Sequence, residues 1–122
     1  MKTQETADRL VELCRQGKNL QAYEELFHST AEAIEPSGVP GERTQGIENL
    51  KAKTKKFFDD VKEMHSSEIS DPIVADNFFT CAMKMDITSK SMGRNKMDEI
   101  CVYETNNDGK IVKEQFFFKM GG

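Results

Sequence analysis

Residues 78–88 read FFTCAMKMDIT, and their side chains alternate between apolar and polar positions. A period of two is typical of a β-strand with one buried and one exposed face. The predicted buried face carries Phe79, Cys81, Met83, Met85 and Ile87, and the opposite face carries Thr80, Lys84, Asp86 and Thr88. A strand of this length predicts a large sheet, and the flanking segments decide how that sheet is completed.

The segments on either side of this strand also have strand patterns. Residues 97–105 alternate in the same way, and residues 110–120 follow the NNDG turn at 106–109, whose residue types tolerate a positive φ. Residues 61–70 form another predicted strand, which ends before Pro72. The second half of the chain therefore predicts a run of antiparallel strands.

The first half of the chain has the period of helices instead. Residues 3–16 place apolar side chains on one face, Asn19 is the predicted cap of a second helix, and residues 47–61 form a third. Residues 31–35 predict a short strand that a proline ends, and residues 36–46, rich in glycine and proline, predict a loop. This order indicates an α+β fold. We expect a strongly bent antiparallel sheet wrapped around three N-terminal helices, forming a cone with an interior pocket.

Composition limits the classes of partner. The chain has 122 residues, which fits a single domain over residues 1–122. Its net charge of −4 argues against binding to nucleic acid, because such binding needs a basic surface that displaces counterions from phosphates. No apolar run reaches the roughly 18 residues of a membrane span. We therefore expect neither a nucleic-acid partner nor a membrane partner.

The cysteines and the first residues indicate a compartment. Cys14, Cys81 and Cys101 are far apart in sequence and lie within apolar patterns, which predicts free thiols in a reducing environment. Residues 1–13 carry five charged side chains and hold no apolar segment of the kind that a secretory leader requires. We expect a cytoplasmic protein.

Four segments together resemble the SnoaL-like, nuclear-transport-factor-like superfamily. They are the GKNL link at residues 17–20, the AIEP segment at 33–36, GIENL at 46–50 and DGKIV at 108–112. Their order and spacing span nearly the whole chain. The resemblance implies a cystatin-like α+β cone with a pocket, and it does not imply one activity.

The steroid delta-isomerases are the relatives whose chemistry is best understood, and they use a carboxylate base and two oxyanion donors. The resemblance places the base at Glu35, immediately before Pro36. It places the tyrosine donor at Leu10 and the protonated acid at Cys101. Leucine donates no hydrogen bond and a thiol is a weak donor, so we expect feeble ketosteroid isomerisation at most.

Glu35 is the candidate base, and its alternatives are an exposed side chain or an ion pair with Arg43. If the period of two brings Cys101 inward, Glu99, Tyr103 and Glu114 line the pocket too, although both faces of these strands are apolar enough to leave the parity open. Three carboxylates in one apolar cavity cannot all ionise at low cost, so at least one should bind a proton or a cation. The candidate lining is Leu10, Phe58, Phe79, Cys81, Met83, Met85, Glu99, Cys101, Tyr103, Glu114, Phe116 and Phe118.

His65 is a weaker candidate. Beside a carboxylate it could transfer protons near neutral pH, and the alternative is a hydrogen-bonded surface histidine. We expect no metal site and no cofactor, since the potential ligands converge only if every predicted orientation holds. The basic run at residues 51–56 is predicted to be the solvated face of the third helix.

The outer face of the sheet, with Ile100, Val102, Ile111 and Phe117, is apolar as well. This indicates a homodimer through that face. We expect a protein that binds an apolar small molecule, as an isomerase or cyclase acting by proton transfer or as a binder only. The alternative is a non-catalytic ligand-binding, dimerisation or interaction domain.

Overall fold

A computed structural model describes residues 1–39 and 41–119. The described part contains three helices and seven strands. The helices are α1 (Thr3–Arg15), α2 (Asn19–Leu26) and α3 (Ile47–Asp60). The strands are β1 (Phe27–Ile34), β2 (Arg43–Gln45), β3 (Val61–Ile69), β4 (Ile73–Ala75), β5 (Phe78–Ser89), β6 (Gly93–Thr105) and β7 (Ile111–Phe117).

The strands form one curved, open sheet in the order β2-β1-β7-β6-β5-β3, with β4 paired to β5. The predicted α+β class is confirmed. One pairing, β1 with β7, is parallel, so the sheet is mixed rather than wholly antiparallel. Register shifts interrupt the β1–β7, β3–β5 and β6–β7 pairings, and such bulges bend strands and increase their twist.

The helices cover the concave face of this sheet. The buried stripe of α1, with Leu10, Val11 and Cys14, meets Leu26 of α2 and Leu50 of α3 in a single core. Gly17 ends α1 with a φ of +73°, a conformation that glycine adopts without steric cost. Lys18, not Asn19, is the N-cap of α2, because the helix already begins at Asn19.

Several details of the strands differ from the sequence-based expectations. Strand β1 begins at Phe27, directly after α2, and it ends at Ile34, so Glu35 is the first residue beyond it. The predicted loop contains β2, which folds back onto β1. The short β4 was not predicted, and a turn with Asp76 at a φ of +55° joins it to β5. Strand β6 begins four residues earlier than expected.

The C-terminal strand is shorter than predicted, and Met120 lies outside the described residues. Ile111 is fully buried instead of lying on the outer face, because the register shift after Glu104 pairs it with Thr105 on the inner side. No helix among residues 1–39 and 41–119 is both long and apolar enough to cross a membrane.

The turn between β6 and β7 docks against the first helix. The side-chain carbonyl of Asn106 accepts hydrogen bonds from the backbone N–H groups of Asp108 and Lys110, at 2.9 and 3.0 Å. The buried hydroxyl of Thr6 donates to the carbonyl of Gly109 at 2.6 Å. Gly109 has a φ of +77°, and a β-carbon there would collide with the backbone carbonyl of Met1.

We expect Gly109→Ala to destabilise the protein more than Gly93→Ala. Both glycines have a positive φ, which costs an alanine about 1–2 kcal/mol, but a β-carbon on Gly93 would meet open space. The difference in the free energy of unfolding, measured with urea, therefore isolates the collision with Met1. Equal losses in the two variants would show that the N-terminal residue moves aside freely.

Candidate functional site

A cavity of about 250 Å³ lies between the concave face of the sheet and the three helices. Most of its wall is apolar, and a few polar side chains converge on it. The lining consists of Leu10, Cys14, Asn19, Ala22, Tyr23, Phe27, Ala33, Glu35, Val39, Lys53, Thr54, Phe57, Phe58, Met83, Met85, Met97, Glu99, Tyr103, Glu114, Phe116 and Phe118.

Glu114 is the most deeply buried carboxyl group in this wall, with 3% of its surface exposed. It lies on β7 directly opposite Tyr103 of β6, and both side chains face inward. The hydroxyl of Tyr23 donates a hydrogen bond to Oε1 of Glu114 at 2.7 Å, and Thr54 donates to that hydroxyl at 3.3 Å.

Burial raises the pKa of Glu114 to about 8, although the Tyr23 hydrogen bond and the charge of Lys53 oppose the shift. The negative charges of Glu35 and Glu99 act in the same direction as burial. Glu114 is therefore a neutral carboxylic acid at pH 7, and a neutral acid can donate a hydrogen bond as well as accept one.

Glu35 has a different environment in the same cavity. Its Oε1 accepts a hydrogen bond from the ammonium of Lys53 on α3 at 2.9 Å, and 14% of its side chain is exposed. Arg43, the partner considered from the sequence, instead pairs with Glu32 at 2.8 Å. Lys53 thus gives Glu35 a cationic partner inside the cavity.

Glu99 is the third carboxyl group. Burial, followed by the negative charge of Glu35, raises its pKa to about 7. The thiol of Cys101 donates to Oε1 of Glu99 at 3.8 Å, a contact that opposes the shift. The three carboxyl groups thus have three environments. Glu35 is paired with a cation, Glu99 has a pKa of about 7, and Glu114 is protonated.

The structure places the other predicted residues as follows. Leu10, Phe58, Met83, Met85, Phe116 and Phe118 line the cavity. Phe79, Cys81 and Cys101 are buried in the core behind that lining, and the ring of Phe79 stacks on that of Tyr103 with 4.7 Å between their centroids. His65 lies on β3 outside the lining, where it contacts Glu63 at 2.9 Å and Thr88 at 2.8 Å.

Several lining residues were not predicted, and two of them carry polar groups that matter. The sequence around Tyr23 on α2 gave no sign that its hydroxyl meets Glu114. Lys53 was assigned to a solvated face, but it lies three residues after Leu50 and four before Phe57. That helical spacing puts Lys53 on the inward stripe of α3. The spacing is therefore the signal that could have identified Lys53 as a lining residue. Among the described residues, no group of three or more side chains is arranged to hold a metal ion.

Several comparisons relate this chain to known proteins. The family model described as a SnoaL-like domain matches residues 1–118. A Mesorhizobium loti protein, provisionally described as a SnoaL-like polyketide cyclase, is 31% identical in sequence. The alignment covers 97% of this chain and 100% of that one, with a TM-score of 0.90. No curated protein matches the sequence.

Two more distant structures share the fold and contain small molecules. TerC, co-crystallised with polyporic acid, is 13% identical with a TM-score of 0.76, and the alignment covers 97% of this chain and 92% of TerC. A Catenulispora acidiphila protein with a ketosteroid isomerase-like fold, in complex with trimethylamine, is 15% identical with a TM-score of 0.69. That alignment covers 88% of this chain and 81% of the other.

The raised pKa values of Glu99 and Glu114 predict that stability falls as pH rises from about 4.5 to 8. In this window the unfolded chain has released protons that the folded chain still holds, so each group costs up to about 1.4 kcal/mol per pH unit. Glu114→Gln keeps an acceptor for Tyr23 and removes one titration. We expect it to flatten the pH dependence and to be at least as stable as the wild type at pH 8.

The measurement is urea unfolding at pH 5, 6.5 and 8, with Glu68→Gln as the control on the exposed edge strand β3. The control should keep the wild-type slope. A Glu114→Gln variant that loses stability at pH 8 would show that Glu114 is ionised and paired in the folded protein.

Proposed function

The chain belongs to the SnoaL-like domain family, and we propose that its cavity binds an apolar carbonyl compound and moves a proton at the carbon beside the carbonyl group. The observation that carries this proposal is that two carboxyl groups in one apolar cavity have opposite environments. Glu35 is held by a cation, and Glu114 is buried and neutral. Pairs of titratable groups with opposed environments are the usual signature of an acid and a base that work together.

Glu35 is the base in this proposal. Its carboxylate takes the proton from the carbon, the electrons of the C–H bond form a carbon–carbon double bond, and the carbonyl oxygen gains negative charge. The neutral carboxyl group of Glu114 donates a hydrogen bond to that oxygen, and its contact with Tyr23 orients it. Returning the proton to another carbon completes an isomerisation, while attack of the enolate on a second carbonyl completes a cyclisation.

These donors occupy different positions from those of the steroid delta-isomerases. Leu10 and Cys101 stand where that resemblance places the oxyanion donors. Tyr23 and Glu114 provide a tyrosine hydroxyl and a neutral acid from α2 and β7 instead. The Mesorhizobium loti relative is described provisionally as a polyketide cyclase, and an enolate is the intermediate that a carbonyl cyclisation needs. This supports an apolar carbonyl compound as the ligand.

The proposal predicts that the protein accelerates exchange of the acidic C–H protons of 2-tetralone, a small apolar ketone, for deuterium. NMR in D₂O at pD 7 measures the exchange rate over that of buffer. Glu35→Gln should remove most of the acceleration, because general-base catalysis typically contributes about 10²–10⁴-fold. Glu114→Gln should also reduce the acceleration, because it removes the acidic hydrogen-bond donor.

Glu32→Gln is the matched control, since Glu32 lies near the end of β1, just before Glu35, and pairs with Arg43 near the surface. It should exchange protons at the wild-type rate. Exchange that persists in Glu35→Gln would contradict the role of Glu35. Binding of the ketone without any exchange in the wild type would favour a non-catalytic binder.

We also propose that the protein forms a homodimer through the outer face of the sheet. Ile73, Phe78, Ile100 and Phe117 are 72%, 45%, 52% and 50% exposed there, and Ile100 lies directly opposite Phe117. Charged cross-strand pairs flank them, Lys84 with Asp98 and Glu104 with Lys113. Both signs of charge around an apolar centre suit a second copy related by a two-fold axis, because such an interface must be self-complementary.

Phe117→Asp should convert this dimer to a monomer, since it places a carboxylate in the apolar centre. Sedimentation velocity at micromolar protein concentration measures the change. Met92→Asp is the control, because Met92 is 72% exposed but lies in the turn between β5 and β6, away from that face. A wild-type monomer at this concentration would contradict the proposal.

The cysteines bear on the compartment. All three are free and buried. Free thiols suit a reducing environment, and the cytoplasm is the location that we propose.

A further inference from the structure

Two of the three cysteines face each other directly behind the lining of the cavity. Cys81 of β5 and Cys101 of β6 are direct cross-strand partners, and both side chains point to the concave side of the sheet. We propose that these two thiols form an oxidation site, at which a small peroxide converts them into a reversible cross-strand disulfide. This inference does not depend on the proposed function of the cavity.

The backbone already provides the required separation. Residues directly opposite each other in antiparallel strands have Cα atoms about 4.5–5.5 Å apart, and disulfides span about 4.4–6.8 Å between Cα atoms. The β5–β6 pairing continues without a register shift from Phe78 and Glu104 to Ser89 and Gly93. A disulfide between these residues therefore links two strands that are already held in place.

The two thiols also contact each other and a carboxyl group. A hydrogen bond from the Cys101 thiol lowers the pKa of Cys81, so Cys81 is the one that ionises more readily. The sulfur of Cys101 lies 3.8 Å from Oε1 of Glu99. The single proton of the Cys101 thiol serves one partner at a time, the Cys81 thiolate in the first step and Glu99 in the second.

The buried sulfurs lie next to the cavity. Met83 and Glu99, the next cross-strand pair on the same face, line the cavity, and so does Tyr103. The thiols lie directly behind this lining, with 3% and 0% of Cys81 and Cys101 exposed. The oxidant must therefore be small, and hydrogen peroxide meets this requirement.

The chemistry balances with one peroxide for each pair of thiols. The Cys81 thiolate attacks a peroxide oxygen, the O–O bond breaks, and a sulfenic acid and hydroxide form, the hydroxide taking up the proton that Cys81 released. The sulfur of Cys101 then attacks the sulfur of Cys81 while its proton passes to Glu99. Glu99 passes that proton to the departing oxygen as the S–O bond breaks, and the second water leaves. Two thiols thus become a disulfide, and hydrogen peroxide is reduced to two waters.

The disulfide would also change the cavity. It removes the thiol that donates to Glu99, and that hydrogen bond opposes the rise in the pKa of Glu99 caused by burial. The protonation of the cavity wall then depends on the oxidation state of the pair.

Cys14 provides the internal comparison. It lies on α1 and lines the cavity, but it has no cysteine opposite it in a strand ladder. Burial raises its pKa to about 12, and the amide of Asn19 contacts its sulfur at 3.6 Å. Cys14 is exposed to the cavity but has no thiol opposite it. Its behaviour therefore shows whether access alone is sufficient for oxidation or whether the cross-strand geometry is required.

The test treats the folded, full-length protein with hydrogen peroxide, then denatures it and alkylates the remaining thiols with iodoacetamide. Intact mass should show the loss of two hydrogens and one alkylated cysteine instead of three, and peptide mapping should join Cys81 to Cys101. Dithiothreitol should restore three alkylated cysteines. Cys14→Ser should still form the disulfide, and Cys101→Ala should not.

Glu99→Gln should slow formation of the disulfide from the sulfenic acid. Dimedone should therefore trap the sulfenic acid at Cys81 in larger yield than in the wild type. Because mapping is done on the wild type, the result does not depend on whether a core variant folds. Three alkylated cysteines after peroxide, a disulfide that involves Cys14, or oxygen added to Cys81 without a disulfide would each overturn the proposal.

Discussion

The long pairing of β5 with β6 is the constraint on which the rest of this structure depends. It runs along the whole of both strands, from Phe78 and Glu104 to Ser89 and Gly93, and one of its faces is covered by the helices. A slip of one residue would turn the apolar row outward, so burial fixes the parity. Once the parity is fixed, Met83, Glu99 and Tyr103 must all face the concavity, and β7 must present Glu114 beside Tyr103.

The same constraint creates an electrostatic problem that the helices solve. Three carboxyl groups face one apolar space, and isolated buried charges are too costly to persist. Helix α3 supplies one cation, Lys53, to Glu35, and helix α2 supplies a hydroxyl, Tyr23, to Glu114. Burial raises the pKa values of Glu99 and Glu114, and proton binding then removes the remaining charge, while Glu35 has a cationic partner.

Much of the fold could be predicted from the sequence, because the deciding signals are local and periodic. The alternation in residues 78–88 and the helical spacing of Leu10 with Cys14 need no knowledge of distant contacts. The site was harder to predict from the sequence, since its polar contacts join residues far apart in the chain, such as Tyr23 with Glu114. Apolar residues on both faces of β6 and β7 left the parity open, and the bulge that buries Ile111 has no mark in the sequence.

Binding of an apolar ligand should make the environments of these carboxyl groups more different from one another. An apolar molecule that fills the cavity displaces water from Glu99 and Glu114, and lower hydration favours their neutral forms. Glu35 has Lys53 as its cationic partner in the same cavity. The fold itself therefore places a cation-paired carboxyl group and a buried neutral one in the same cavity, and an apolar ligand would favour that arrangement.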